Sequence, residues 1–214
     1  MTNQLAPSVV LASGSPRRRS FLADLGVEFE VIAADIDETP RSGENPSAYV
    51  ERLSCEKAFH VGRLISSPNV GVDSSKLSLV IAADTTVTFE GEILGKPEDH
   101  ETNAAMLRLL SERTHHVLSG VAVVVANAVE HTVATCVVTT EVRFRTLTED
   151  DISWYLATGE GLDKAGGYAI QGRAAAFVER VNGSVSNVVG LPLSELLDLL
   201  HRVGHPIETL RPRY

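Results

Sequence analysis

Leu79-Val80-Ile81-Ala82-Ala83 is a continuous apolar run, and an acid, Asp84, follows it directly. A short run without alternation is typical of a strand that is buried on both faces of a sheet. Ser8 to Ala12 is a second such run and predicts a first buried strand. His115 to Ala126 and His131 to Phe144 are long and β-rich, on either side of a predicted turn. These stretches predict one large sheet with residues 79–83 near its centre.

Helical patterns separate the predicted strands. Pro16 and Pro46 each follow a residue suited to an N-cap, and they predict helices that reach Gly26 and about Leu64. Further helices are predicted over 98–110, from a capping box at Thr148 to Thr158, and from Pro192 onward. The helices are expected to flank the sheet.

Turn residues mark the remaining segments. Residues 86–94 predict a hairpin around Glu90-Gly91, and residues 177–188 predict another around Asn182-Gly183. Residues 29–33 read as a further strand, whereas 66–75 and 159–167 are predicted loops. The hairpins indicate a mixed sheet and not a purely parallel one. We expect residues 1–214 to form a single domain.

Composition narrows the class of protein. The chain has 214 residues, 43% hydrophobic and 22% charged, as expected for a globular protein. Its net charge of −9 argues against polymeric nucleic acid as a partner, and a small anionic substrate would need a local basic pocket. Cys55 and Cys136 lack metal-ligand spacing and are expected to be reduced thiols. No leader and no membrane-spanning run is evident, so a cytoplasmic location without membrane contact is expected.

Ser13 to Arg19 join the first predicted strand to the first helix. A glycine permits the turn, and Ser15 and Pro16 suit the cap and first position of the helix. Backbone N–H groups at a helix start, with three guanidinium groups beside them, form a phosphate-binding arrangement. The competing interpretation is a capped helix with solvated arginines. Arg17 and Arg18 cannot point the same way, so their roles are expected to differ.

Two lysines are candidates for the same phosphate. Lys57 lies on an apolar helical stripe that runs from Val50 to Leu64. Such a lysine either snorkels to the rim of the core or reaches into a pocket that holds an anion. Lys96, in Gly95-Lys-Pro97, either supplies a point charge to phosphate or stays on the surface. The spacing of a Walker loop is absent around it.

Carboxylates follow two of the predicted strands. Asp84 is expected at the end of the central strand, where ligands of α/β sheets gather, and it can hold a metal ion or activate water. It can instead cap a turn. Asp35-Ile-Asp37-Glu38-Thr39 resembles the nucleophile loop of haloacid-dehalogenase-type phosphatases, although the later residues of that site are missing. The same acidic cluster can supply a metal ligand.

Six segments, spread in order over nearly the whole chain, resemble the Maf family of nucleotide pyrophosphatases. Each is weak alone, and six in order make a specific signal. The segments are Leu11 to Arg18, Glu56 to Ala58, Ala82 to Thr85, Gly95 to Pro97, Asp163 to Gly172 and Asn187 to Pro192. One departure is Gly167-Tyr168-Ala169, where relatives often have Ala-Tyr-Gly, and we expect shifted loop geometry there without loss of function.

The resemblance implies an elongated mixed α/β fold with two lobes around a cleft, similar to inosine triphosphate pyrophosphatases. It implies cleavage of a nucleoside triphosphate between the α and β phosphates, aided by Mg²⁺ or Mn²⁺, with Co²⁺ not separable from them by sequence. It makes Asp84 the general base and Asp84 with Glu38 the metal ligands. The substrate-binding residues that it implies are Ser13, Arg18, Lys57 and Lys96, and the residues of base choice are Arg17, Thr85 and Gln171.

The base-choice residues, with Lys164-Ala-Gly beside them, resemble the branch that acts on dTTP and UTP. Gln171 can donate and accept a hydrogen bond, which suits the imide edge of a pyrimidine. Relatives also imply a homodimer and an association with restraint of septum formation. Two alternatives stay open: a nucleotide sensor or septum regulator that binds without turnover, and a phosphatase that uses Asp35.

Overall fold

The computed structural model describes residues 7–66, 77–126 and 131–212 of the protein. Residues 67–75 of one predicted loop and the predicted turn at 127–130 lie outside these ranges. The strands are β1 (Ser8–Leu11), β2 (Glu30–Val31), β3 (Ser78–Phe89), β4 (Glu92–Leu94), β5 (Thr114–Ala126), β6 (His131–Phe144) and β7 (Val178–Asn182). The helices are α1 (Pro16–Asp24), α2 (Pro46–Ile65), α3 (His100–Leu110), α4 (Glu149–Leu156), α5 (Val185–Val189) and α6 (Leu193–Arg202).

The described strands form one seven-stranded mixed sheet, in the order β2-β1-β3-β5-β6-β7 with β4 paired to β3. β1 is parallel to both of its neighbours, and β3, β5, β6 and β7 pair antiparallel in succession. The helices flank this sheet. The predicted α/β class with a mixed sheet is therefore confirmed.

The central strand is longer than its apolar run. The expectation that it ends before Asp84 was wrong, because β3 keeps its antiparallel partners on β5 as far as Thr88. An open edge arises instead from β1, which ends at Leu11 opposite Ile81. After Ile81, the edge of β3 that β1 covered has no paired strand until β4 joins it at Val87. Asp84 thus lies inside a strand but beside a gap in the sheet.

Two lobes share the sheet. In the first lobe, α1 and α6 pack on one face of β1, β3 and β5, and α2 packs on the other. In the second lobe, the far halves of β3, β5 and β6 pack against α3 and α4. The buried aromatic rings gather in this second lobe, where Phe144, Tyr155 and Phe177 meet edge to face. The predicted two-lobed form is confirmed.

Local capping explains where several elements begin. Asn45 accepts a hydrogen bond from the Ala48 amide at the start of α2, and Thr148 and Asp151 form the predicted capping box of α4. Ser15 occupies the N-cap of α1 without a side-chain cap bond.

The strand predicted over residues 29–33 is shorter in the structure, where β2 covers only Glu30–Val31.

The predicted hairpin over 177–188 was wrong in its second half. Residues 178–182 form β7, but the chain then enters α5 instead of a returning strand. Ser184 caps this helix by accepting from the Asn187 amide. The buried Asn187 side chain donates to the Val117 carbonyl and to Thr140 Oγ1. These long-range bonds favour the helical turn over a hairpin partner for β7.

Helix α2 approaches the sheet closely at Gly120, which pairs with Asp84 across β5 and β3. A Cβ at Gly120 would lie 2.2 Å from the Val50 carbonyl oxygen, an overlap that no side-chain rotation relieves. We expect Gly120→Ala to destabilise the protein by about 3 kcal/mol, the upper part of the usual range for overpacking. Urea unfolding measures the change.

Gly62→Ala is a matched control in the same interface. A Cβ there meets only Ala126 and Val124 side chains at 3.9 Å, an ordinary contact distance. Because alanine favours a helix interior by about 1 kcal/mol over glycine, this variant should be as stable as the parent or more so. Equal stability of the Gly120→Ala and Gly62→Ala proteins would contradict the close approach.

Candidate active site

A cavity of about 590 Å³ opens between the two lobes beside the gap in the sheet. It is lined by the β1–α1 loop, β3 and α2, and by residues 163–165, 168–171 and 188–190. Every predicted site residue lines this one cavity. They are Ser13, Arg17, Arg18, Glu38, Lys57, Asp84, Thr85, Lys96 and Gln171.

Lys57 joins two carboxylates that line the cavity. Its Nζ lies 2.6 Å from Asp84 Oδ1 and 2.7 Å from Glu38 Oε1. Lys57 and Asp84 are each only 7% exposed, whereas the Glu38 side chain is 48% exposed. Lys57 therefore reaches into the cavity and does not snorkel out. Asp84 faces the lysine instead of capping a turn.

Arg18 spans from the β1–α1 loop to the end of α5. It donates to the Gly190 carbonyl at 2.7 Å, to Ser13 Oγ at 3.0 Å and to Thr85 Oγ1 at 3.0 Å. A guanidinium has five N–H groups, so three bonds within the protein leave others for an anion. Burial lowers the pKa of Arg18, and the nearby Asp84 opposes this shift.

The other two arginines have different surroundings. Arg17 turns toward the C-terminal end of α5 and donates to the Val189 carbonyl at 3.3 Å. Burial lowers its pKa, and Asp163 acts in the opposite direction. Arg19 is exposed and does not line the cavity. Two of the three predicted guanidinium groups thus reach the site, where they donate to the carbonyls of consecutive residues, Val189 and Gly190.

Lys96 and Gln171 lie at the rim of the cavity and are exposed. Neither side chain makes a hydrogen bond or ion pair with any residue of the described ranges. Both are therefore available to a ligand. Lys96 follows β4, and Gln171 follows the short turn Ala165–Gly167. The Gly166 amide donates to the Gly95 carbonyl at 3.0 Å, so both segments lie side by side in the second lobe.

Of the acidic cluster at 35–38, only Glu38 lines the cavity. Asp35 is exposed and lies outside the lining. Asp37 accepts a hydrogen bond from the Thr39 amide at 2.9 Å, and hydrogen bonding to Thr39 lowers the pKa of Asp37. The alternative of an aspartyl phosphatase thus lacks its nucleophile in this cavity.

Comparison with known proteins shows the family of this chain. The family model of the Maf-like proteins matches residues 8–203. The chain belongs to the Maf family. A dTTP/UTP pyrophosphatase of Myxococcus xanthus is 53% identical over 199 residues, covering 93% of this chain and 94% of the relative. One of Anaeromyxobacter dehalogenans is 49% identical over 208 residues, covering 97% and 100%.

More distant proteins also match this Maf chain. A dTTP/UTP pyrophosphatase of Acinetobacter baylyi is 47% identical over 193 residues, covering 90% of this chain and 98% of the relative. Among solved structures, the Staphylococcus aureus Ham1 protein matches with a TM-score of 0.38 and 16% identity, covering 63% of this chain and 71% of that one. A score this low carries no conclusion.

The donor set of this Maf protein fits a cation that is shared with substrate. Within residues 7–66, 77–126 and 131–212, no three His, Cys, Asp or Glu side chains are grouped to hold a metal ion by themselves. Asp84 and Glu38 nevertheless face one common cation, the Lys57 ammonium. Mg²⁺ takes one or two carboxylates and completes its shell with water and phosphate oxygens. The two carboxylates therefore fit such an ion.

Sequence reasoning missed the residues that hold the cationic groups. Thr85 Oγ1 and Ser119 Oγ are 2.8 Å apart, and Ser119 donates to the Asn187 carbonyl. Gly190 accepts from Arg18 and from Thr85. Asn187 and Gly190 fell inside a family segment without any role, and Ser119 lies in an apolar run where nothing distinguished it.

Among the helices of the described ranges, none combines the length and apolar composition that crossing a bilayer requires.

Proposed function

We propose that this Maf protein is a nucleoside triphosphate pyrophosphatase that converts dTTP and UTP into the monophosphate and pyrophosphate. The observation that carries the proposal is the convergence of Arg18, Lys57, Lys96 and Asp84 on one cavity. The relatives named dTTP/UTP pyrophosphatase, at about half identity over nearly the whole chain, support the same activity. Both lobes contribute to this cavity, so we propose that the chain works as one catalytic domain.

The phosphate chain would bind at the end where cations gather. Ser13 and Arg18 offer a hydroxyl and the N–H groups of a guanidinium that stays fixed by Gly190 and Thr85. Lys57 and Lys96 would neutralise the charge of the leaving phosphates. A guanidinium held in place contributes geometry as well as charge, because its orientation is settled before the substrate arrives.

Asp84 would act as the general base. It is nearly buried beside Lys57, and its carboxylate lies at the gap in the sheet that opens into the cavity. A carboxylate at this place can take a proton from the water that attacks the phosphate chain. Lys57 holds that carboxylate in one orientation, and pyrophosphate leaves toward the cationic side chains.

Asp84 and Glu38 would also hold a divalent cation, with Mg²⁺ or Mn²⁺ proposed. Such an ion supplies charge neutralisation for the phosphate oxygens when it is bound. Glu38 lies on a loop whose backbone is fastened to α2, since Tyr49 donates to the Glu38 carbonyl at 2.9 Å. The loop thereby keeps its carboxylate near that of Asp84 through their common contact, Lys57.

Base choice would depend on Gln171, Arg17 and Thr85. Gln171 can satisfy both polar groups of an imide edge, and a site with such partners rejects bases that leave them unpaired. Arg17 bonds to the carbonyl of Val189, the last residue of α5, and Thr85 bonds to the carbonyl of Gly190, which follows it. We propose that these two residues act on base choice through the end of α5.

A panel of nucleotides, with products resolved by ³¹P NMR, tests this function. We expect dTTP and UTP to give monophosphate and pyrophosphate faster than dATP and dGTP, and chelation with EDTA to abolish the reaction. Orthophosphate as the first product would favour the phosphatase. Tight nucleotide binding without turnover under Mg²⁺, Mn²⁺ and Co²⁺ would favour the sensor or septum regulator. A purine preference would refute the dTTP/UTP assignment.

The proposal also covers the binding partners of the protein and its location in the cell. The net charge of −9 favours a small nucleotide that binds in a local basic pocket over a polymeric nucleic acid. The homodimer and the cytoplasmic location stay predictions. Light scattering on the purified protein tests the first.

A further inference from the structure

We infer that three buried polar side chains of the second lobe, Asn103, His115 and Tyr155, are positioning residues that set base selectivity by holding residues 165–171. The inference deepens the proposed function and rests on it. None of the three was singled out by its sequence pattern for this role. All three lie outside the group of residues that would contact phosphate.

Each of these side chains makes one hydrogen bond to the segment, and the three bonds go to three consecutive residues, 167, 168 and 169. Asn103 on α3 donates from Nδ2 to the Gly167 carbonyl at 2.8 Å. His115 on β5 bonds through Nε2 to Tyr168 Oη at 2.8 Å. The third contact is at residue 169, whose amide donates to the Tyr155 hydroxyl on α4 at 3.1 Å. Three separate elements therefore hold one short segment.

Burial makes these contacts strong constraints. Asn103, His115 and Tyr155 are at most 1% exposed. A buried polar group that loses its partner bears the full cost of desolvation, so water cannot easily replace any of the three bonds. Isolated surface hydrogen bonds would not hold a loop in this way.

Close packing fixes the same segment from a second direction. Gly166 has φ +69°, and a Cβ on it would lie 2.8 Å from the Val87 side chain. Gly167 has φ +73°, and a Cβ on it would lie 2.2 Å from Asn103 Nδ2. An alanine at 167 is incompatible with this Asn103 contact.

The histidine in this group is neutral at ordinary pH. Burial lowers the pKa of His115 to about 4, and its Nδ1 is buried without a partner among the described residues. The ring packs edge to face on Phe144 and Tyr168, with centroids 4.9 and 5.4 Å away. A second proton would have no acceptor. The His115–Tyr168 bond is therefore a neutral, permanent anchor.

The held segment leads directly into the ligand-facing residues. Tyr168, Ala169, Ile170 and Gln171 all line the cavity. The Gly166 amide also donates to the Gly95 carbonyl at 3.0 Å, beside Lys96. A shift of the segment would displace Gln171 from a base edge and leave Asp84 and Lys57 in place. The positioning residues should thus affect discrimination and KM more than kcat.

Tyr155→Phe is the decisive variant, since it removes one hydroxyl and keeps the ring in the core. We expect the ratio of kcat/KM for dTTP to that for dCTP to fall about tenfold, with KM for dTTP raised and kcat within about twofold, as one unpaired buried amide predicts. Gly167→Ala should lower the same ratio through its overlap with Asn103. An unchanged ratio in a folded Tyr155→Phe protein overturns the inference.

Two controls separate positioning from general loosening. Leu110→Ala weakens the packing of the second lobe without touching the segment, and it should lower Tm but leave the ratio unchanged. Gly204→Ala has a comparable positive φ of +82° with open space around the added Cβ, so it tests backbone strain alone. A loss of selectivity in either control equal to that of Tyr155→Phe overturns the inference. If the parent protein releases no pyrophosphate from any nucleotide, that result contradicts the proposed function and not the positioning role.

Discussion

Asp84→Asn is expected to lower kcat for dTTP by about 10²–10⁴-fold, the range that a positioned general base supplies. The amide cannot accept the proton of the attacking water. It can still accept a hydrogen bond from Lys57 Nζ, which lies 2.6 Å from Asp84 Oδ1 in the parent protein. Nucleotide binding should therefore survive. Steady-state release of pyrophosphate, with equilibrium titration of dTTP, measures both quantities.

Asp35→Asn is the matched control for that experiment. It makes the same chemical change on an exposed residue that does not line the cavity. Its turnover should equal that of the parent. A near-normal rate in Asp84→Asn would show that the base is misassigned, and loss of activity in Asp35→Asn would revive the phosphatase.

Lys57→Met is expected to cost about 3 kcal/mol of folding free energy, the lower end for removing one partner of a buried ion pair. The lower end applies because the cavity admits water and Glu38 is half-exposed. Two carboxylates would then face each other without a cation. Turnover should fall at least 10²-fold, because a cation on the phosphate chain is lost as well. Urea unfolding and steady-state kinetics measure the two effects.

Two further variants separate the loss of stability from the loss of turnover. Adding Glu38→Gln to Lys57→Met removes one of the facing charges and should recover part of the stability without recovering turnover. Lys96→Met should leave stability unchanged, since Lys96 is exposed and pairs with none of the described residues. A Lys57→Met protein as stable and active as the parent would contradict the assigned role of the lysine.

Local pattern predicted the elements whose cause is local. The apolar run at 79–83 gave the central strand, and the cap at Asn45 gave the start of α2. The end of β3 depends instead on its β5 partners and on where β1 stops, neither of which a single run contains. The hairpin over 177–188 failed for the same reason, since Asn187 bonds to residues on β5 and β6.

In the site, too, the sequence pattern identified candidate residues, but their contacts depend on residues far away along the chain. For Lys57 and Arg18, long-range contacts decide between a surface role and a place in the cavity, whereas Lys96 makes no such contact with the described residues. Lys57 could have snorkelled, and its two carboxylate contacts decide against that. Arg18 depends on Gly190, a residue 172 positions away along the chain. Buried polar side chains such as Ser119 and Asn103 stay hidden because they share the periodicity of the apolar residues around them.

A crystal structure of the Asp84→Asn protein with dTTP and Mg²⁺ is the most direct test of a single triphosphate site. We predict that the phosphate chain lies between the Ser13–Arg18 loop and Lys57, with its α–β bridge next to residue 84 and the base toward Gln171. A nucleotide bound away from this cavity, or with its γ phosphate against residue 84, would contradict the account.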